Sequence, residues 1–281
     1  MSGCRLTQIN NFKMAGLHRQ STVFDDNDLQ TRHLNSMFEP EDVHLRYKIL
    51  ETIGKGAFGC VHKVQILETG DLCAMKTLPF DPTKSNRNLK REINSIAKLR
   101  NDVNFVQLLD VFKGTDNKLH MVMELCDEDL TAHMARNEIG QEEYSLFNIA
   151  QQLARGVNVL HSQDPPIVHR DIKPQNILIV RSGDSANDVI VKLADFGVSS
   201  SDIDMDSTHA HGRPILLTAA PIGTWPYMPP ECFAALDGKG LKDGRFCFDV
   251  SLDIFALGLV YLYIFCYKDS RYGEFRSNIY D

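Results

Sequence analysis

The stretch HRDIKPQN, residues His169–Asn176, sets a carboxylate, a cation and an amide on one tight loop. Asp171 can accept or orient a hydroxyl proton, Lys173 can neutralise phosphate charge, and Asn176 can offer an oxygen to a metal. Magnesium takes oxygen ligands, often only one or two from protein, with substrate phosphates supplying others. A short distance on, ADFG supplies a second potential metal oxygen in Asp195. A polar turn between a helix and a hairpin carries similar residue types, so the loop gains its meaning from the motifs around it.

Upstream, GKGAFGCV spans Gly54–Val61 between two strand-like stretches, YKILETIG and CVHKVQIL. Glycine lacks a Cβ, so backbone amides there can approach a polyphosphate closely. A glycine-rich dinucleotide turn joins a strand to a helix. Here the glycines join two strands, which favours an antiparallel hairpin acting as a nucleotide flap. In the first of those strands Ile49, Glu51 and Ile53 alternate with Leu50 and Thr52. Lys76 follows on a third strand, DLCAMKTL, and Glu92 lies in NRNLKREINSIAKLR, where Leu89, Ile93, Ile96 and Leu99 make one helical face. A strand lysine is usually solvated and a helix glutamate usually exposed. A lysine turned inward needs an anion, and Glu92 is a candidate partner.

Two more strand candidates, FVQLLDVF and LHMVMEL, complete a small sheet carrying one helix. The pattern then turns helical: in YSLFNIAQQLARGVNVLHS, Leu146, Ile149, Leu153, Val157 and Leu160 share a face. ILIV and VIVKLAD are short strands flanking the polar loop RSGDSAND, and a long loop leads to a terminal apolar helix. The layout predicts an α+β fold with two lobes and a ligand cleft between them. Residues 1–45 are polar without sustained period and read as a flexible leader. The globular part is 46–281, with a β-rich portion at about 46–125 and a mainly helical one at about 126–281.

Bulk properties narrow the function classes. The 281 residues are 43% hydrophobic and 24% charged, as in a globular protein, and the net charge of −7 speaks against nucleic-acid binding. Seven scattered cysteines without a Cys-x-x-Cys pair argue against zinc or a redox pair and suit a reducing, intracellular compartment, cytoplasmic with the nucleus open. The apolar run from Ile254 to Tyr267 is shorter than the ~20 residues that span a bilayer. It reads as a buried core helix, apolar all round.

Taken in order, Gly54–Val61, Lys76, Glu92, His169–Asn176 and Asp195–Gly197 resemble the signature set of the eukaryotic protein kinases. The resemblance covers roughly residues 46–267. It implies a two-lobe fold, with a small antiparallel sheet carrying one helix and a mainly α-helical lobe. It also implies transfer of the γ-phosphoryl of Mg-ATP to protein hydroxyls. Gly54, Gly56 and Gly59 would cover the phosphates, with Ile53 beside them. Lys76 would hold the α- and β-phosphates and pair with Glu92. Asp171 would be the catalytic base, Lys173 its neighbouring cation, and Asn176 and Asp195 the Mg²⁺ ligands. Val61, Ala74 and Leu178 would sandwich adenine, Met123 would guard the back pocket, and Glu124, Leu125 and Cys126 would form the hinge. One acid of Asp127–Asp129 would reach the ribose. Lys173 and Thr224 are similar to the serine/threonine-type pattern, with dual specificity open. The implied partners are protein substrates bearing Ser or Thr and an upstream activating kinase. The alternative is a truncated, catalytically impaired module that binds nucleotide or regulates.

The resemblance also implies control. Arg170 would receive a phosphate placed on the segment Asp195–Glu231, whose candidates are Ser199, Ser200, Ser201, Ser207, Thr208 and Thr218. Pro229-Pro230-Glu231 replaces the usual Ala-Pro-Glu, and Glu231 would pair with an arginine further along the family's domain. His169, Phe196 and Asp253 would be structural, Asp253 holding the backbone near His169 and Gly258 permitting close packing. Val260 and Ile264 would meet the apolar stack beside adenine. A family domain continues roughly 70 to 80 residues past the apolar helix, so the large lobe reads as lacking its last helices.

Overall fold

The computed structural model describes residues 40–56, 59–80, 87–136, 143–183, 188–197, 199, 216–218, 221–242 and 244–267. The chain divides into two compact units. The first is built mainly from the segments before residue 87 and from 108–125. Its core is a five-stranded antiparallel sheet in the order β1-β2-β3-β5-β4, comprising β1 (Tyr47–Gly56), β2 (Gly59–Ile66), β3 (Leu72–Pro79), β4 (Leu108–Lys113) and β5 (Lys118–Glu124). One face buries Val64, Cys73, Met75, Phe112 and Val122 together with Tyr47. Burial pushes the Cys73 thiol up to about 11, as befits a side chain held in the sheet core.

Residues 40–45, grouped with the leader on composition, belong to this unit. A short helix, α1 (Val43–Arg46), buries Val43, and Glu41 bonds through its backbone to Lys113 and Thr115. The Arg46 guanidinium binds Asp110 at 2.6 Å and lies over the Tyr47 and Phe112 rings. The regular alternation expected along β1 does not hold. Register shifts fall between Ile49 and Glu51 and between Thr52 and Gly54, and Ile49, Leu50 and Ile53 are all exposed. Each bulge turns the next side chain to the other face, which strict period-two reading cannot foresee.

The second unit is mainly helical. It contains α2 (Arg87–Lys98), β6 (Glu128–Asp129), α3 (Leu130–Arg136) and α4 (Glu143–His161). In chain order β7 (Ile177–Arg181) and β8 (Val189–Leu193) follow, of which Val180–Ile190 is grouped with the first unit, then β9 (Leu216–Thr218), α5 (Pro230–Leu236), β10 (Leu241–Lys242), β11 (Arg245–Phe248) and α6 (Ser251–Cys266). The expected helical faces form: Ile93, Ile96 and Leu99 are buried, as are Ile149, Leu153, Val157 and Leu160. The side chain of Leu89 lies outside the described residues.

Two expectations are corrected here. The region before the last helix is not merely a long loop, because β9, β11 and β10 make a three-stranded sheet, with Phe246 opposite Thr218 and Phe248 opposite Leu216. Phe246, Phe248, Met228, Cys232 and Leu252 close a second core. The last helix is not buried all round. Ile254 is 53% exposed and Phe265 42% exposed, while Val260 and Ile264 are enclosed. A Cβ at Gly258 would meet nothing within 4 Å, so close packing is not the reason for that glycine. Among the described residues no helix is long and apolar enough to cross a membrane.

Candidate active site

The residues of the His169–Asn176 loop gather in the second unit through three anchors. Asp253, fully buried in the first turn of α6, accepts from the backbone N–H groups of His169 and Arg170, both at 2.8 Å, and from His161 Nε2 at 2.9 Å. His169, also fully buried, donates from Nε2 to the Ala194 carbonyl at 3.0 Å and accepts the Asp171 N–H at Nδ1. Its ring packs 4.9 Å from Phe196, which in turn meets Phe105 at 6.1 Å. The Ala194 N–H donates to the Asn176 carbonyl at 3.0 Å, fastening the strand before Asp195 to the loop. Arg170 and Asp195 both take positive φ, 67° and 64°. Non-glycine residues adopt that conformation only where surroundings impose it.

Around Asp171 the polar groups close into a ring. Lys173 Nζ donates to Oδ2 at 2.7 Å and to Thr224 Oγ1 at 2.6 Å. Thr224 donates to Oδ1 at 2.6 Å, and Asn176 Nδ2 donates to Oδ2 and to the Asp171 carbonyl, each at 2.9 Å. Asn176 thus uses its nitrogen toward Asp171, and its side-chain oxygen is the end left for another partner. The short helical turn Pro174–Asn176 begins with proline, which presets φ for the turn and removes a donor that would lack an acceptor.

Arg170 donates to the Ser199 carbonyl at 3.2 Å, and its guanidinium lies 5.3 Å from the centroid of the Phe248 ring. Thr218 is half-buried in β9, Glu231 is exposed in the first turn of α5, and Leu178 lies on β7. Ser200, Ser201, Ser207 and Thr208 lie outside the described residues. Of the three acids after the expected hinge, two have local tasks. Asp129 accepts the Ala132 N–H at the start of α3, and Glu128 binds His133 at 2.9 Å and Arg136. Asp127 is exposed and donates its N–H to Ile179. Glu92 is buried on α2, while Cys126 is half-buried.

In the sheet unit, Val61 on β2 stands opposite Lys76 on β3, and Ala74 stands opposite Met123 on β5. Lys76 is buried, as is Ala74, and Glu124 ends β5. Gly54 faces Val61 in the hairpin register. Gly59 has φ 150°, and a Cβ there would lie 2.1 Å from the Thr77 carbonyl oxygen, so only glycine fits. At Gly56 a Cβ would meet nothing within 4 Å. Ala57 and Phe58, at the hairpin tip, lie outside the described residues.

Some residues of the site were not singled out in the sequence. His161 shares the Asp253 carboxylate, although it reads only as the end of an amphipathic helix. Gly223 has φ 148°, and a Cβ there would come 2.6 Å from the Arg170 carbonyl oxygen. The one available signal was its place directly before Thr224. Among the described residues no three His, Cys, Asp or Glu side chains form a metal cluster, so a cation here would rely on mixed ligands such as Asn176 and Asp195.

Comparison with known proteins agrees with this geometry. Residues 47–279 match the protein kinase domain family. The chain is 33% identical over 231 residues to serine/threonine-protein kinase 10 of Danio rerio, covering 82% of this chain and 21% of that protein. It is 32% identical over 218 residues to cyclin-dependent kinase-like 1 of Caenorhabditis elegans, covering 71% and 57%. It is 29% identical over 220 residues to misshapen-like kinase 1 of Rattus norvegicus, covering 76% and 15%. The chain therefore spans between 15% and 57% of the length of these relatives. With the family match running through the sheet unit and the Asp171 ring alike, the chain belongs to the eukaryotic protein kinase superfamily.

Proposed function

We propose that this chain transfers the γ-phosphoryl group of Mg-ATP to serine or threonine hydroxyls of protein substrates. The observation that carries the reading is the ring of donors on Asp171. An ionised carboxylate offers about four acceptor sites. Oδ2 takes Lys173 and Asn176, and Oδ1 takes Thr224. The remaining site lies on Oδ1, beside Thr224, where a substrate hydroxyl can donate. In transfer the hydroxyl oxygen bonds to the γ-phosphorus, its proton passes to Asp171, and the bond to the β–γ bridging oxygen breaks, leaving ADP.

The ligand chemistry fits the residues present. The Asn176 oxygen and the Asp195 carboxylate are hard donors suited to Mg²⁺, and Mg²⁺ when bound spreads the charge of the phosphates. Lys173, bonded to Oδ2, holds the Asp171 carboxylate in orientation. In this reading Gly54, Gly56 and Gly59, with Ile53, cover the phosphates, and the open space at Gly56 suits a ligand's approach. Buried Lys76 serves the α- and β-phosphates against Glu92, and Val61, Ala74 and Leu178 hold adenine next to the hinge Glu124–Cys126. One acid of Asp127–Asp129 reaches the ribose. The preference for aliphatic hydroxyl substrates rests on the resemblance of Lys173 and Thr224 to the serine/threonine-type pattern.

Control by an upstream kinase would act at Thr218 or elsewhere in the segment, through Arg170. The test is transfer of labelled phosphate from Mg-ATP to a generic protein substrate, beside Asp171→Asn. We expect a rate that falls at least about 10²-fold in the variant, the scale of a lost general base. ATP binding without transfer in the parent would overturn the reading in favour of a nucleotide-binding module.

A further inference from the structure

A pair of buried hydroxyls joins the helix that carries Glu92 to the turn that carries Asp195. Ser95 on α2 and Ser199 are each 2% exposed. Ser199 Oγ lies 2.8 Å from the Phe196 carbonyl oxygen and 3.2 Å from Ser95 Oγ. The Ser199 N–H also reaches the Phe196 carbonyl, at 3.0 Å, and the Ser199 carbonyl accepts from Arg170 Nη2 at 3.2 Å. One hydroxyl proton serves one acceptor, and a carbonyl oxygen cannot donate. Ser199 therefore gives its proton to Phe196 and takes one from Ser95.

We infer that the Ser95–Ser199 hydroxyl pair is a positioning clamp that fixes helix α2, and with it Glu92, to the Asp195–Gly197 turn. Glu92 lies three positions before Ser95 on the same helical face, and both are buried. Ser199 meanwhile links the turn to Arg170, next to the catalytic Asp171. One serine thus touches three of the elements whose mutual placement transfer requires. The clamp also reassigns Ser199 among the candidate phosphate acceptors. Its Oγ is enclosed and bonded, and a phosphate would bring about −1.5 to −2 charges into that enclosure. A modification at Ser199 breaks the clamp.

The inference rests on the proposed transfer activity only for its kinetic arm, and amide exchange tests it independently. On the full chain, exchange over residues 91–98 and phosphate transfer are measured for the parent, Ser95→Ala, Ser199→Ala and the double variant. Each single change is expected to speed exchange over 91–98 about fivefold, the scale of one lost buried hydrogen bond, with no further gain in the double variant. Exchange over α4 should stay unchanged, and kcat should fall while KM for the protein substrate holds. Unchanged exchange in either single variant, or increments that add in the double, overturns the clamp. Should Ser199→Ala lose protection in α4 as well, Ser95→Ala alone decides. A parent that transfers no phosphate defeats the proposed function, while exchange still judges the clamp. Ser199→Glu should abolish transfer, and a faster rate in that variant would refute the assignment.

Discussion

The His169–Asn176 loop and the glycine hairpin hold their side chains in contrasting ways. Around Asp171 the described polar groups are tied to distant parts of the chain: Asp253 to two backbone donors, His169 to Ala194, Thr224 to both Lys173 and Asp171. In the hairpin, β1 is exposed along most of its length, with Ile53 48% exposed and open space at Gly56. A reacting carboxylate gains from being held in place before the reaction, since reorganisation then costs nothing at the barrier. In the proposed function the hairpin covers the phosphates, and such a cover must yield to admit and release nucleotide, so it is drawn from the less constrained part of the fold.

The contrast breaks most severely at Asp253. Replacement by alanine strands two backbone N–H groups and the His161 ring, all turned toward a fully buried site. Asp253→Ala is expected to cost about 3 to 5 kcal/mol in denaturant unfolding and to abolish transfer. A loss below about 1 kcal/mol would show that water replaces the anchor and that the loop is not held as described.

The hairpin provides a finer test, because two of its glycines differ in kind. Gly59→Ala drives a methyl into the Thr77 carbonyl at a φ that side chains avoid, at a cost of about 3 kcal/mol. Gly56→Ala should change stability by no more than about 0.5 kcal/mol while raising KM for ATP several-fold. Equal destabilisation by the two would erase the distinction between a structural glycine and one kept for the ligand.

The smallest effect concerns pH and belongs to the sheet unit. His120 is 2% exposed, stacks on Phe112 at 5.0 Å, and lies 3.2 Å from both Asp116 and Thr77. Burial holds its imidazole below the usual range, against the opposing pull of Asp116, and Lys118 and His62 push it the same way as burial. The unfolded chain therefore takes up a proton near pH 6.5 that the folded chain still refuses. Stability of the sheet unit should fall as pH drops below about 6.5, and His120→Gln should flatten that slope. Thermal melts between pH 7.5 and 5.5 measure it. An unchanged slope would move the acid sensitivity to another group.

How much of this was legible beforehand depends on sequence distance. Asp171, Lys173 and Asn176 were readable because they lie within one loop, and residue type and spacing carry the chemistry of a local motif, whereas Thr224 joins their ring from 53 positions away. The amphipathic helices were readable because burial follows the helical period. The β1 alternation was misread because bulges are set by pairing with β2, which one strand's pattern does not report. Local partners for Glu128 and Asp129, in His133 and in the Ala132 N–H, were not legible either, since they depend on where α3 starts.

By itself the sequence determined the chemical inventory: which loop bears the carboxylate, which hairpin is glycine-rich, which helix is apolar. Tertiary structure decided what that inventory is fastened to. Asp253 reaches His169 across 84 positions, and Ser199 reaches Ser95 across 104. It also decided that α6 leaves Ile254 and Phe265 exposed, and that β9 pairs with β11. The physical reason is that short-range propensities act between neighbours along the chain. A buried hydroxyl or carboxylate instead takes whichever donor the folded backbone brings within 3 Å, and only the closed fold specifies that donor.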